Sequence, residues 1–110
     1  LEWGGIASIS KKHPLFCAEH TGEDNKSYHR GDSWFWLNNL AAICMNRIDK
    51  KHFANYIKQI KTASEEEILW HGFIGNHAEI SSASRLESFG CWNQLWSNAM
   101  FIELCDELKK

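Results

Sequence analysis

The chain has 110 residues, room for one domain at most. Its 12 Lys and Arg against 14 Asp and Glu give a formal charge of −2. Lys50-Lys51-His52 is too small a basic cluster to track a phosphate backbone, which excludes nucleic acid as the expected partner. At 44% hydrophobic, 24% charged and 13% aromatic, the composition is globular and excludes disorder as the main state.

The longest apolar run, Leu40 to Met45, is far short of the roughly 20 residues that a bilayer crossing needs, so no membrane is expected. The start, Leu1-Glu-Trp-Gly-Gly5, has no initiator Met and no secretory signal, and reads as a segment of something longer. Cys17, Cys44, Cys91 and Cys105 form no C-x-x-C pair. They read as reduced, mostly buried thiols of a cytoplasmic protein.

Taken in chain order, residues 1 to 32 hold four glycines and a polar run from Thr21 to Ser27, which predicts irregular chain with one short helix near Gly4 to Ser10. Leu37, Leu40, Ala41, Cys44 and Ile48 then fall at helical spacing, and Ser33 can cap the start. Trp34, Phe35, Trp36, Ile43 and Met45 add apolar side chains on other faces, the pattern of an inner helix. After Asp49, an amphipathic helix carries Phe53, Tyr56, Ile57 and Ile60 on one stripe. Ser64-Glu65-Glu66-Glu67 has the form of a capping box, predicting a further short helix through Trp70 that Gly72 closes; the three Glu read as a charged helix start. Residues 73 to 92 show no clear period, and a loop that long inside a small domain is usually functional. A last helix from about Asn93 places Phe101, Leu104, Cys105 and Leu108 on one face. The expected fold is all-α, one unit over residues 1–110 with long functional loops and weak strand signals.

Two loops concentrate aromatic and polar residues: Ser27 to Trp36 and Gly75 to Ser82. Aromatic rings beside carboxylates, an Arg and amides suit a sugar, which offers apolar C–H faces for stacking and hydroxyls for hydrogen bonds. On composition alone, Trp34, Trp36, Trp92 and Trp96 read more simply as core. A rival donor set, His13-x3-Cys17-x2-His20 with His29 as fourth ligand, has metal-like spacing but lacks the paired ligands of a structural zinc hairpin, so no metal is expected.

Tyr28 to Asn39, Glu67 to Gly72, Ala78 to Ala83 and Gly90 to Ser97, four motifs in order, resemble the C-terminal part of glycogen-debranching enzymes. The likeness is closest to the archaeal and bacterial amylo-α-1,6-glucosidase domain and runs from about Gly5 to Leu108. It implies a partial α/α toroid, helical hairpins of a six-hairpin barrel related to glucoamylases. It also implies inverting hydrolysis that removes α-1,6-linked glucose from a branched, glycogen-like α-glucan, with no cofactor.

Such hydrolysis needs one carboxylic acid on the leaving oxygen and a second carboxylate, roughly 6.5–9.5 Å away, that activates water. The resemblance assigns the base to Glu79. The family's acid lies on a segment upstream of the matched region, so the chain is expected to supply the base and to be inactive alone. Asp32, just before a helix start, reads as a positioning residue paired with Arg30 more readily than as the acid. By resemblance Tyr28, His29, Arg30, Asp32 and Trp34 are sugar contacts, joined by Gln94 and Trp96 of the Gln-x-Trp-Ser motif. The expected partners are the glucan and either the upstream portion of the enzyme or a second copy. The alternative is a non-catalytic glucan-binding or interaction fragment.

Overall fold

Apolar side chains spaced at three and four residues build three helices: α1 (Phe35–Asp49), α2 (Ala54–Trp70) and α3 (Leu95–Lys109). The computed structural model describes residues 1–110, the side chain of Asp24 apart. The chain is mostly helical, with one antiparallel ladder of two-residue strands, β1 (Ser33–Trp34) and β2 (Ile80–Ser81), in the register Ser33 to Ser81 and Trp34 to Ile80. A single π-type turn covers Asp24–Tyr28.

α1 is the middle helix, packed against both α2 and α3. The core joins Ala42 and Ile43 of α1, Ile57 and Ile60 of α2 and Leu104 of α3, with Met45, Phe53, Met100 and Leu108 at its edge. The inner-helix expectation holds for one side of α1 only. Its buried residues are Phe35, Asn38, Asn39, Ala42 and Ile43, whereas Leu37, Cys44 and Ile48 lie on an exposed face. The molecule measures 39 × 31 × 19 Å, and 19 Å is about two helix diameters, too thin to cover α1 on every side. The cysteines follow suit: all four are free, but Cys44 and Cys91 are exposed and Cys17 and Cys105 half-buried, so the expected burial of most thiols is corrected.

Asn38 and Asn39 displace apolar residues from the inner face because each has partners there. Asn38 Oδ1 accepts the Ile6 N–H at 3.0 Å, and its amide donates to the Ser33 hydroxyl at 2.9 Å. Ser33 therefore does not cap α1; it sits in β1, and extended Trp34 holds the N-cap position.

The capping box at Ser64 does not form either. α2 runs unbroken through it, and the Ser64 hydroxyl reaches across to Asn39 Oδ1 at 2.9 Å. The link from α1 to α2 is instead an Asx turn, with Asp49 Oδ1 accepting the N–H groups of Lys51 and His52. Residues 4–10 form bends and irregular chain, not the expected short helix. The N-terminal segment is held by single contacts such as the 2.7 Å bond from Cys17 N–H to the Arg30 carbonyl. That approach requires Gly31, whose Cβ would stand 1.7 Å from the Cys17 carbonyl oxygen.

Glu107 of α3 closes the far end. Arg47 of α1 donates Nε to its Oε1 at 3.1 Å and Nη2 to its Oε2 at 2.8 Å, and Lys110 adds a third contact. The Arg47 hydrogen bonds, and then Lys110, hold the Glu107 pKa down at about 2.

In the isolated chain, Leu104→Ala should cost about 2–5 kcal/mol of unfolding free energy in urea, since Leu104 is 0% exposed. Ile48→Ala, at a position 76% exposed, should stay within about 0.5 kcal/mol. Equal losses at the two sites would contradict this core. Glu107 also sets an acid limit: with a folded pKa of about 2 against about 4.3 unfolded, its contribution is complete above the higher value and disappears as pH falls through the lower. Thermal melts from pH 5 to pH 2 should therefore show a smaller fall for Glu107→Gln than for the wild type.

Candidate functional site

The β1–β2 ladder brings together the two loops that the sequence singles out. Behind it the second loop folds as a narrow hairpin: Ile80 and Phe89 exchange N–H groups at 3.2 and 2.9 Å, and Glu79 N–H donates to the Cys91 carbonyl at 2.8 Å. The Phe35 N–H, the first of α1, reaches the Glu79 carbonyl at 3.3 Å. Residues 73–92 form the expected loop, and a few backbone bonds order its centre.

Glu79 is half-buried between the two loops. The Tyr28 hydroxyl donates to its Oε1, and the Cys91 N–H to its Oε2 at 2.9 Å. Tyr28 meets the Trp34 ring edge-on at 4.5 Å, and His29 lies parallel to Trp34 at 5.7 Å. Trp34 is fixed in turn by its indole N–H on the Tyr28 carbonyl at 3.1 Å. Beside these rings a cleft of about 420 Å3 opens between Ser8, His29, Trp34, Trp36 and Leu37, within the size range of small-molecule sites. The arrangement is a carboxylate with both oxygens oriented by donors, next to aromatic faces.

Gly90 makes that geometry possible. It adopts φ +71°, and a Cβ there would stand 2.6 Å from Glu79 Oε2.

The other expected site residues are dispersed. Arg30 is half-buried and forms no ion pair among the described residues. Asp32 is wholly buried; its partners are His20 Nδ1 at 2.7 Å and the Ser27 hydroxyl at 2.9 Å, which corrects the expected pairing with Arg30. Its Oδ1 has no hydrogen-bond partner. Gln94 occupies the N-cap position of α3, where its N–H donates to the His77 carbonyl and its side chain accepts from Ser97. Trp96 is exposed and meets Trp36 edge-on at 5.9 Å, bounding an apolar cleft of about 440 Å3 with Ala99 and Met100. Trp36 borders both clefts and so stands between Trp96 and the rings around Glu79. His13, Cys17 and His20 turn to separate neighbours, and among the described residues no group of three or more His, Cys, Asp or Glu could hold a metal ion.

Sequence reasoning missed a polar network directly beneath Glu79. The Ser64 hydroxyl donates to Asn39, the Asn39 amide to His77 Nε2 at 3.3 Å, and His77 Nδ1 to Glu67 Oε2 at 2.5 Å. This donor order assigns the His77 proton to Nδ1. His77 and Glu67 are both wholly buried, and the imidazole packs on Phe35 at 4.4 Å. Glu67 is therefore no part of a solvated helix start. A signal was present, because Ile57, Ile60, Ser64 and Glu67 fall at i, i+3, i+7 and i+10 on the face of α2 that turns inward.

Gly90→Ala should lose about 1–2 kcal/mol or more, from left-handed strain together with the clash at Glu79. Its Cys91 amide resonance should shift while the core amides of Ile57 and Leu104 stay in place. Wild-type stability with an unmoved Cys91 amide would contradict the close approach.

The family model described as amylo-alpha-1,6-glucosidase matches residues 2–103. No curated protein and no solved structure matches the chain.

Proposed function

This chain belongs to the amylo-alpha-1,6-glucosidase family, a group of glycogen-debranching glycoside hydrolases, and we propose that it is the C-terminal portion of such a catalytic domain, in which Glu79 is the general base. The observation that carries the reading is the hold on Glu79, with one oxygen on the Tyr28 hydroxyl, the other on the Cys91 N–H, and an aromatic cleft alongside.

In an inverting displacement at an α-1,6-linked glucose, an acid protonates the glycosidic oxygen as the C1–O6 bond breaks. Water attacks C1 from the opposite ring face, and Glu79 takes the proton that water gives up, so glucose leaves as the β anomer. The donors on Glu79 keep its carboxylate at one place and in one orientation, which general-base catalysis requires. Tyr28, His29 and Trp34 form the sugar-facing wall, Arg30 is at hand for hydroxyls, and Trp96 extends the aromatic surface through Trp36. Gln94 shapes the start of α3 behind the loop. Asp32, buried under His20 and Ser27, supports this wall from within and does not touch the sugar.

That burial also leaves Asp32 unsuited to donate a proton to a leaving oxygen in the cleft. The acid then comes from an upstream portion of the domain, which would also cover the bare face of α1 and complete an α/α toroid. The alternative, a glucan-binding fragment without turnover, draws on the same observation about Asp32. No helix of the described residues is long and apolar enough to cross a membrane. We place the protein in the cytoplasm with glycogen-like α-glucan as its substrate, and the reaction calls for no cofactor.

The isolated chain should release no glucose from a branched limit dextrin. In an assembly containing the upstream portion, Glu79→Gln should lower kcat by about 10²- to 10⁴-fold with little change in glucan affinity. Glucose release by the pure chain would overturn the shared-site reading. Retention of more than about half of wild-type kcat by Glu79→Gln would overturn the base assignment.

A further inference from the structure

Glu67 is the one wholly buried carboxylate whose partners all lie on the loop that carries Glu79. From the last turns of α2 its Oε2 accepts from His77 Nδ1 at 2.5 Å, and its Oε1 from the Ser88 hydroxyl at 2.6 Å. Both oxygens stand 3.3 Å from the Ala78 N–H. His77 and Ala78 immediately precede Glu79, whereas Ser88 lies two residues before Gly90 on the returning arm. A single carboxylate thus ties both arms of the hairpin to α2 at its base, and Glu79 closes the same hairpin one step further out through Cys91.

A carboxyl group taken out of water is retained only where partners satisfy it, and here those partners are loop groups with no Lys or Arg among them. We propose that Glu67 is the positioning residue of the base: its clasp on His77, Ala78 and Ser88 fixes the hairpin so that Glu79 meets Tyr28 and Cys91. The role assigned to Glu79 rests on the functional reading above; the clasp rests on geometry alone. Charge and length both matter. Gln keeps one acceptor oxygen for His77 Nδ1 but turns an N–H₂ toward the Ala78 N–H and the Ser88 hydroxyl, of which only the hydroxyl can accept, and Asp is one methylene short of the loop. Gly72 shows how tightly the clasp is packed, because a Cβ there would stand 2.7 Å from the Ser88 hydroxyl.

The Cys91 amide proton offers a readout that needs no turnover. It is donated to Glu79 Oε2, so its chemical shift follows the ionisation of Glu79 in a pH series of ¹⁵N–¹H spectra, and Glu79→Gln identifies the step by abolishing it. In Glu67→Gln that step should shrink at least twofold, and Cys91 amide exchange should quicken at least tenfold while Ile57 and Leu104 keep their protection. Ser88→Ala removes one outer hydroxyl, leaves the Glu67–His77 pair in place and serves if the buried variant does not fold; it should show the same selective change at smaller amplitude. An unchanged Cys91 step in both variants, or a loss of protection at Cys91 only in proportion to that at Ile57 and Leu104, would overturn the proposal and leave Glu67 a structural group. Because no arm measures hydrolysis, failure of the general-base reading would show separately, in the kcat of Glu79→Gln.

Discussion

A carboxylate wholly removed from water has to be met by donors, and the Glu67 side chain draws those donors from one loop. His77, Ala78 and Ser88 turn toward it, and with them the hairpin that brings Phe89 onto Ile80 and Cys91 onto Glu79. The same requirement passes outward through His77 to Asn39 and Ser64, which is why an amide side chain occupies the inner face of α1. The β1–β2 ladder then brings Trp34 and Tyr28 to the other side of Glu79. A buried carboxyl group, a two-residue ladder and an aromatic cleft form one connected structure.

The fold class and the helices were legible because apolar periodicity registers directly in sequence. α1 and α3 lie close to where Leu37–Ile48 and Phe101–Leu108 place them. The phase was not legible for α1. Periodicity counts apolar residues and cannot see that Asn38 and Asn39 find partners inside, so it left α1 apolar on nearly every side, whereas its inner face carries two amides and Leu37, Cys44 and Ile48 stand exposed. The same blindness divided α2 at Ser64, where a local capping pattern competed with a tertiary bond to Asn39 and the tertiary bond won. Long-range partners, 25 residues away for Ser64 and Asn39 and 51 for Tyr28 and Glu79, leave no local trace in the chain.

At the site, the two loops rich in aromatic and polar residues lie side by side across the β1–β2 ladder, and the resemblance pointed to the family that the matching family model shows. Composition could not separate Asp32 from Glu79. One is sealed beneath His20 and Ser27; the other stands half-open beside Tyr28. Only the path of residues 17–34 over the helices decides which carboxylate is sealed and which stays half-exposed. The exposed apolar face of α1 and the cleft at Trp36 and Trp96 fit a chain that shares its site with further helices of the same domain, the arrangement proposed above.

Chemical rescue tests the central claim, that Glu79 activates the attacking water, more directly than any loss of function. Glu79→Ala, in an assembly with the upstream portion, removes the base and leaves space beside C1. Azide needs no deprotonation to attack. With an α-glucosyl substrate bearing a good leaving group, the account predicts that azide restores turnover and that the product is β-glucosyl azide. Absence of rescue under conditions where the assembly remains intact, or recovery of the α-azide, would contradict it.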